Sequence, residues 1–251
     1  MSTRLPGVYS SLAPFREAFA RQIPILMYHK VGPRLSRVRL KGMYVEPRLF
    51  RRQMKELAAA GFTSASPESV FTDPQSQPPK IALTFDDGYR NVLEHALEPM
   101  REAKLTAIQF VIPDLIGKRN EWDIAQGEAP EPLMNRAEIA RWLAAGHAIG
   151  AHTCTHPFLT RIPLQQAREE IISSRRKLED LFQRPVVHFC YPFGDWNEAV
   201  LDVVAEAGFQ TAVTTTSGFN SPESGRFSLL RFTARHQSRS LKAIWRRLFS
   251  R

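Results

Sequence analysis

The chain has 251 residues, of which 43% are apolar and 24% charged, so it can bury one large core or two modest ones. This composition excludes a disordered chain; two cysteines are too few for a disulfide-rich miniprotein, and no apolar run reaches the roughly 18 residues of a membrane span. The net charge of +9 is uneven: residues 1–55 carry 12 Lys/Arg against 2 Asp/Glu, residues 56–225 carry 14 against 23, and residues 226–251 carry 8 against none.

Short apolar, β-branched runs alternate with amphipathic stretches along the chain, which predicts βα units. The predicted strands are 23–29, 62–65, 81–85, 107–112, 147–152, 186–191, 211–215 and 227–232. The predicted helices are 47–60, 89–103, 136–145, 164–182 and 198–207, and three of them are closed by a glycine, as helix C-termini commonly are. We therefore expect one closed α/β barrel rather than two domains.

The two basic ends are expected to lie outside this barrel, as an N-terminal extension at 1–22 and a C-terminal helix at 235–251, with the barrel at 23–234. The helix would be strongly amphipathic. Its apolar face comprises Leu241, Ile244, Trp245, Leu248 and Phe249, and its basic face comprises Lys242, Arg246, Arg247 and Arg251. Such a helix suits peripheral contact with an anionic membrane, although packing against the barrel is the alternative.

Two segments that follow predicted strands carry reactive side chains. Strand 81–85 runs into DDG at 86–88, where two adjacent carboxylates precede a residue that can turn sharply. Successive side chains of a strand point in opposite directions, so the two carboxylates need not share a role, and a simple turn with Asp86 as helix cap is the alternative. Strand 147–152 leads into HTCTH at 152–156, whose histidines would share one face if the segment were helical.

Both segments are predicted at the carboxyl-terminal rim of the barrel, where enzymes of this architecture hold their reactive groups. Together they supply two histidines and a carboxylate, with a coordination position left for water. Such a site on zinc is hydrolytic, because the metal lowers the pKa of bound water and polarises a carbonyl. The residues therefore predict hydrolysis of an amide or an ester.

At this point the chain resembles the polysaccharide deacetylases, the NodB-homology group of carbohydrate esterase family 4. The resemblance spans roughly residues 24–232 and rests on LTFDDGY at 83–89, GAHTCTH at 150–156 and YPFG at 191–194, with MYHK at 27–30 and GHAIG at 146–150 in support. It implies a distorted (β/α) barrel of about seven strands, and it implies the removal of an acetyl group from an aminosugar.

The resemblance also implies roles for individual residues. Asp86 would be the general base, while Asp87, His152 and His156 would bind one divalent metal ion, for which zinc is expected. Phe193 would offer its backbone N–H to the oxyanion. Substrate contacts would come from Tyr191 and Pro192 of the third motif, and from Trp122, which with Asp123 and the segment 133–134 falls where relatives border the substrate groove.

The chain departs from the family pattern at two positions. Cys190 stands where an arginine often orients the catalytic aspartate, and Arg231 stands where a histidine acts as general acid. Arginine cannot replace that acid, because it does not deprotonate usefully near neutral pH. We expect His29, at the end of the first strand, to supply the proton, with a structural histidine as the alternative. Arg231 is expected to orient Asp86, with a plain surface charge as the alternative.

The sequence thus predicts a cytoplasmic, metal-dependent deacetylase that acts on an N-acetylated polysaccharide or on a lipid-linked precursor of envelope or exopolysaccharide synthesis. It would lie free or on the inner face of the membrane, since residues 1–25 carry no continuous apolar stretch of a secretory signal. Two alternatives stay open: an amidase for a non-sugar amide, and a binding protein that has lost turnover. No nucleic-acid partner is expected, because no motif accompanies the basic charge.

Overall fold

The computed structural model describes residues 5–36, 38–73, 77–124 and 127–235, in which parallel strands alternate with helices. The strands are β1 (Ile25–Tyr28), β2 (Lys30–Val31), β3 (Tyr44–Val45), β4 (Thr63–Ser64), β5 (Lys80–Phe85), β6 (Ile108–Val111), β7 (Ala148–Ala151), β8 (His188–Cys190), β9 (Thr211–Val213) and β10 (Phe232–Thr233). The helices are α1 (Arg16–Arg21), α2 (Pro47–Ala59), α3 (Ser69–Thr72), α4 (Arg90–Ala103), α5 (Glu121–Ile124), α6 (Arg136–Ala144), α7 (Leu164–Phe182) and α8 (Glu198–Glu206).

Seven of these strands form one curled parallel sheet in the order β10-β1-β5-β6-β7-β8-β9, and β4 pairs with β5 beside this path. The segment before β10 joins the two ends of the sheet. On one side the Leu229 N–H donates to the carbonyl of Ala212 in β9, and on the other side Phe232 pairs with Leu26 of β1. The predicted fold, a distorted α/β barrel of about seven strands, is confirmed.

The strands are buried on both faces, which explains why they read as continuous apolar runs. The inward faces fill the barrel with a small cluster formed by Ile25, Ala82, Ile108, Phe110, Cys190, Val213 and Leu229. The outward faces pack against the apolar stripes of the helices; α4, for example, buries Val92, Ala96 and Met100 at helical spacing. Helix α6 ends two residues before Gly146, whose φ of 87° is the left-handed conformation that closes a helix.

The N-terminal segment contributes to this core. Tyr9, Phe15 and Phe19 are fully buried. The rings of Phe15 and Phe19 pack against Phe232 of β10, and the ring of Tyr9 stacks on Phe19. The backbone N–H of Tyr9 also donates to Thr233. Residues 9–19 of the predicted extension at 1–22 therefore lie against the last strand of the sheet.

The predicted amphipathic helix at 235–251 lies outside the described residues, except for Arg235. Within the part of the chain that the structure describes, no helix combines the length and the apolar character that crossing a bilayer requires.

Candidate active site

Asp86 and Asp87 point into one cavity of about 120 Å³ at the carboxyl-terminal rim of the barrel. Strand β5 ends at Phe85, and Asp87 and Gly88 then adopt φ angles of 73° and 78°. The strand alternation that would separate the two carboxylates has ended before Asp87, so both line the same cavity. Asp86 is not a helix cap, since the residue before α4 is Tyr89.

His152 and His156 follow β7 in a loop rather than in a helix. Thr153 and His156 have φ angles of 60° and 67°, which fold this loop back on itself. Glu170 of α7 stabilises the loop, because its carboxylate accepts the N–H of Cys154 at 2.8 Å and that of the next residue at 2.9 Å. A tight loop, and not a helical turn, therefore brings the two imidazoles together.

Three predicted metal ligands converge in the cavity. The Nε2 atoms of His152 and His156 lie 3.2 Å and 3.4 Å from Oδ1 of Asp87, and 3.2 Å from each other. Among the described residues this is the one group of three such side chains whose ligand atoms all lie within 4.8 Å of one another. All three side chains are buried.

The protonation of these residues suits a divalent cation. The Nδ1 of His152 lies 2.7 Å from the carbonyl oxygen of Cys190, so Nδ1–H donates and leaves Nε2 free as a ligand. Burial lowers the pKa of His156 to about 4, which keeps its imidazole neutral. Burial opposes the ionisation of Asp87, but its contacts with His152 and His156 hold its pKa well below the usual range. Burial opposes the protonation of His152, but Cys190 and Asp87 outweigh it and raise its pKa. A divalent ion would displace this proton, and two imidazoles and one carboxylate then fit the ion that the sequence implies.

Arg231 forms a bidentate ion pair with Asp86. Its Nη1 and Nη2 atoms lie 2.8 Å from the two carboxylate oxygens, and the guanidinium is fully buried. The remaining donors bind the carbonyl of Thr214, the hydroxyl of Thr84 and the sulfur of Cys190. The alternative interpretation, in which Arg231 is a plain surface charge, is therefore wrong. Burial opposes the ionisation of Asp86, but Arg231 and then His29 outweigh it and lower its pKa.

His29 lies on the other side of the same carboxylate. Its Nε2 is 3.7 Å from Oδ2 of Asp86, which is too long for a hydrogen bond, and its side chain is 19% exposed at the cavity wall. The position is compatible with proton transfer to a leaving group in the cavity. The general-acid role of His29 stays a prediction.

Aromatic side chains form part of the remaining cavity wall. The rings of Trp122 and Phe193 lie 4.4 Å and 4.5 Å from that of His156, and Phe193 has a φ of 59°. Tyr191 also lines the cavity, but its hydroxyl donates to the carbonyl of Phe227 at 2.8 Å. Pro192 is buried and is not among the residues that line the cavity.

Asp123 lines the cavity; the resemblance placed it beside Trp122 at the border of the substrate groove but gave it no role. It is 2% exposed, and burial together with the negative charge of Asp87 raises its pKa to about 6. No motif spacing singles it out, because it lies in the four-residue helix α5 between two loops. Its neighbour Trp122 is the one sequence signal at this position.

Comparisons with known proteins find similarity to one family. A family model described as polysaccharide deacetylase matches residues 73–212, more than half of the chain. The protein YxkH of Bacillus subtilis is 26% identical over 214 residues, which cover 84% of this chain and 70% of YxkH.

A chitooligosaccharide deacetylase of Bradyrhizobium sp. is 27% identical over 130 residues, or 51% of this chain, and the match spans about half (52%) of that relative. The crystal structure of a polysaccharide deacetylase from Bacillus cereus superposes with a TM-score of 0.74 at 26% identity, covering 86% of this chain and 66% of that one.

Proposed function

The chain belongs to the polysaccharide deacetylase family, and we propose that it is a metal-dependent hydrolase that removes an N-acetyl group from an aminosugar of a polysaccharide or of a lipid-linked precursor. One observation carries this proposal: three buried ligand atoms within 4.8 Å of one another share a cavity with a carboxylate that an arginine holds ionised. This combination provides both a metal site and a base beside it.

Each predicted residue then has a task in amide hydrolysis. Asp87, His152 and His156 would hold the ion, which when bound would activate water and polarise the acetamide carbonyl. Asp86 takes up the proton of the attacking water, because its lowered pKa keeps it ionised near neutral pH. His29, 3.7 Å from Asp86, donates a proton to the leaving amine. The backbone N–H of Phe193 donates to the developing oxyanion.

The choice of an acetylated sugar rests on the named relatives and on the cavity wall. One similar protein is a chitooligosaccharide deacetylase and another a peptidoglycan-N-acetylglucosamine deacetylase. The partly exposed ring of Trp122 at the cavity offers an apolar surface of the kind on which a sugar ring packs. An intermediate of envelope or exopolysaccharide synthesis is the substrate that we propose.

We further propose that the protein is cytoplasmic and that residues 235–251 bind reversibly to the inner face of the membrane. Each Lys or Arg close to an anionic surface contributes about 1 kcal/mol before screening by salt. Sedimentation with anionic liposomes, with and without residues 240–251, tests the contact. Sedimentation that does not change on deletion would contradict it.

Acetate release from a panel of N-acetylated saccharides, measured together with the metal content, tests the function. Asp86→Asn is expected to keep the metal and to lose turnover by about 10²-fold or more, because a general base contributes at least that much. Hydrolysis of small cyclic amides without any acetate release would favour the amidase alternative. Bound metal with no turnover on either panel would favour a binding protein.

A further inference from the structure

The side chain of Asp123 faces the cavity, but none of the roles above uses it. Asp123 lies beside Trp122 in α5 and is 2% exposed. The hydroxyl of Tyr89 donates to its Oδ2 at the long distance of 3.5 Å, and no other described residue donates to this carboxylate. A buried carboxylate with so few donors is costly, unless a bound molecule supplies them.

Asp123 does not belong to the metal site. Among the described residues, the group whose ligand atoms all lie within 4.8 Å of one another consists of Asp87, His152 and His156 alone. Asp123, in α5, lines the same cavity. Its free oxygen is therefore available to a ligand in the cavity and not to the ion.

A buried polar network holds the segment that contains α5 in position. Lys30, which is fully buried, lies 2.7 Å from Oε1 of Glu131 and sits over the rings of Tyr44 and Tyr89. The backbone N–H of Glu131 donates to the side chain of Asn120 at 2.7 Å. The carbonyl of Asn120 in turn accepts the Asp123 N–H at 3.0 Å. Asp123 is thus held in place before a ligand arrives, which favours a selective contact.

We propose that Asp123 accepts a hydrogen bond from a ring hydroxyl of the aminosugar whose acetamido group enters the cavity, and so selects a sugar over a simple acetyl compound. The inference rests on the proposed function. Sugar hydroxyls are donors that a carboxylate can bind, and the adjacent ring of Trp122 offers an apolar surface to the same sugar. A site built to bind a hydroxyl discriminates against substrates that lack it.

Two variants test this contact: Asp123→Ala removes the acceptor, and Asp123→Asn keeps the shape and a neutral acceptor. The measurement is the ratio of kcat/KM for an N-acetylglucosamine oligomer to kcat/KM for p-nitrophenyl acetate, which has no sugar. We expect this ratio to fall about 100-fold for Asp123→Ala and about 10-fold for Asp123→Asn, since hydrogen bonds to charged groups are strong. Asp202→Asn, on the exposed face of α8, is the matched control and should keep the wild-type ratio.

Monodeoxy analogues of the saccharide locate the hydroxyl. For the wild type, one analogue should lose about 10- to 100-fold in kcat/KM, and Asp123→Ala should show no further loss with that analogue. An unchanged ratio, an equal loss on both substrates, loss of the metal, or equal sensitivity of both proteins to every analogue would overturn the contact. A wild type that releases acetate from no saccharide would overturn the proposed function and, with it, this inference. If Asp123→Ala does not fold, the kcat/KM ratio of Asp123→Asn tests the contact instead.

Discussion

Arg231 reaches across the barrel to hold both oxygens of Asp86 at 2.8 Å, although 145 residues separate the two in the sequence. The pair is buried, and all five guanidinium N–H groups have partners within the barrel. A bidentate contact of this kind fixes the orientation of the carboxylate as well as its charge. Arg231 is thus placed where it could orient Asp86, the task expected of an arginine at the position of Cys190.

We predict that Arg231→Met raises the pKa of Asp86, because burial then acts on the carboxylate without its main counter-charge. The acid limb of the kcat/KM profile should move to higher pH. Arg231→Lys should keep part of the shift but lose the bidentate geometry, with kcat lowered by about 10-fold or more. The pH dependence of acetate release measures both effects. An acid limb that stays in place in Arg231→Met would mean that another group limits the rate.

Stability gives a second test of the same pair. Removing one partner of a buried ion pair costs about 3–5 kcal/mol, because the other charge is left unpaired. Arg231→Met should therefore unfold at lower denaturant concentration, and the double variant Asp86→Asn with Arg231→Met should recover part of the loss without recovering activity. Additive losses in this double-mutant cycle would show that the two residues are not coupled.

The metal site predicts a link between metal binding and stability. His152→Ala and His156→Ala should lose the bound ion, whereas His95→Ala on α4 is a histidine control that should keep it. A chelator should lower the Tm of the wild type, because the ion binds the folded state. It should leave the Tm of His152→Ala unchanged. Full metal occupancy in either ligand variant would contradict the assignment.

His29→Ala should lower kcat and remove the basic limb of the pH–rate profile, because a general acid must carry a proton that it can donate to the leaving amine. The metal content should not change, since His29 does not belong to the group of ligand atoms. A variant that keeps the basic limb with a lower kcat would leave His29 with a structural role beside Asp86.

His147 predicts a pH dependence of stability that is independent of the active site. It packs on Trp142 and accepts the Ala107 N–H at 3.2 Å, and burial lowers its pKa to about 4. In the unfolded state His147 has a pKa near 6.5 and therefore binds a proton before the folded state does. The free energy of unfolding should fall by up to about 3 kcal/mol as the pH drops from about 6.5 to 4. The variant His147→Gln keeps a hydrogen-bond acceptor but does not titrate. Its free energy of unfolding, measured with denaturant, should therefore depend less on pH between about 6.5 and 4. An identical slope in both proteins would contradict it.

The repeating elements could be predicted from the sequence because their signals are local. Helix α7 has the predicted bounds, and strand β5 begins one residue before the predicted run. The strands β2 and β3 were not predicted, because two residues each carry no periodicity and the residues before β3 read as a loop. Helices α1, α3 and α5 are also short and lack a clear apolar stripe.

Some residues of the site could likewise be predicted from local signals, and others could not. Asp87, His152 and His156 could be predicted to lie together because strand ends meet at one rim, but the loop that aims the histidines depends on Glu170, which lies 14 residues beyond His156. The resemblance placed Asp123 only at the border of the substrate groove, and its burial inside the cavity could not be predicted, because that position depends on the contact of Lys30 with Glu131. Contacts between distant segments leave no spacing in the sequence.

The closure of the barrel by residues 229–233 sets the order in which the site can form during synthesis. The ligands of the metal site are complete once residue 156 has left the ribosome, but the partner of the general base arrives 75 residues later, with Arg231 on the segment that bridges β9 and β1. A nascent or truncated chain without this segment would hold Asp86 without its counter-charge. Such a chain would be an inactive hydrolase until its last strand docks.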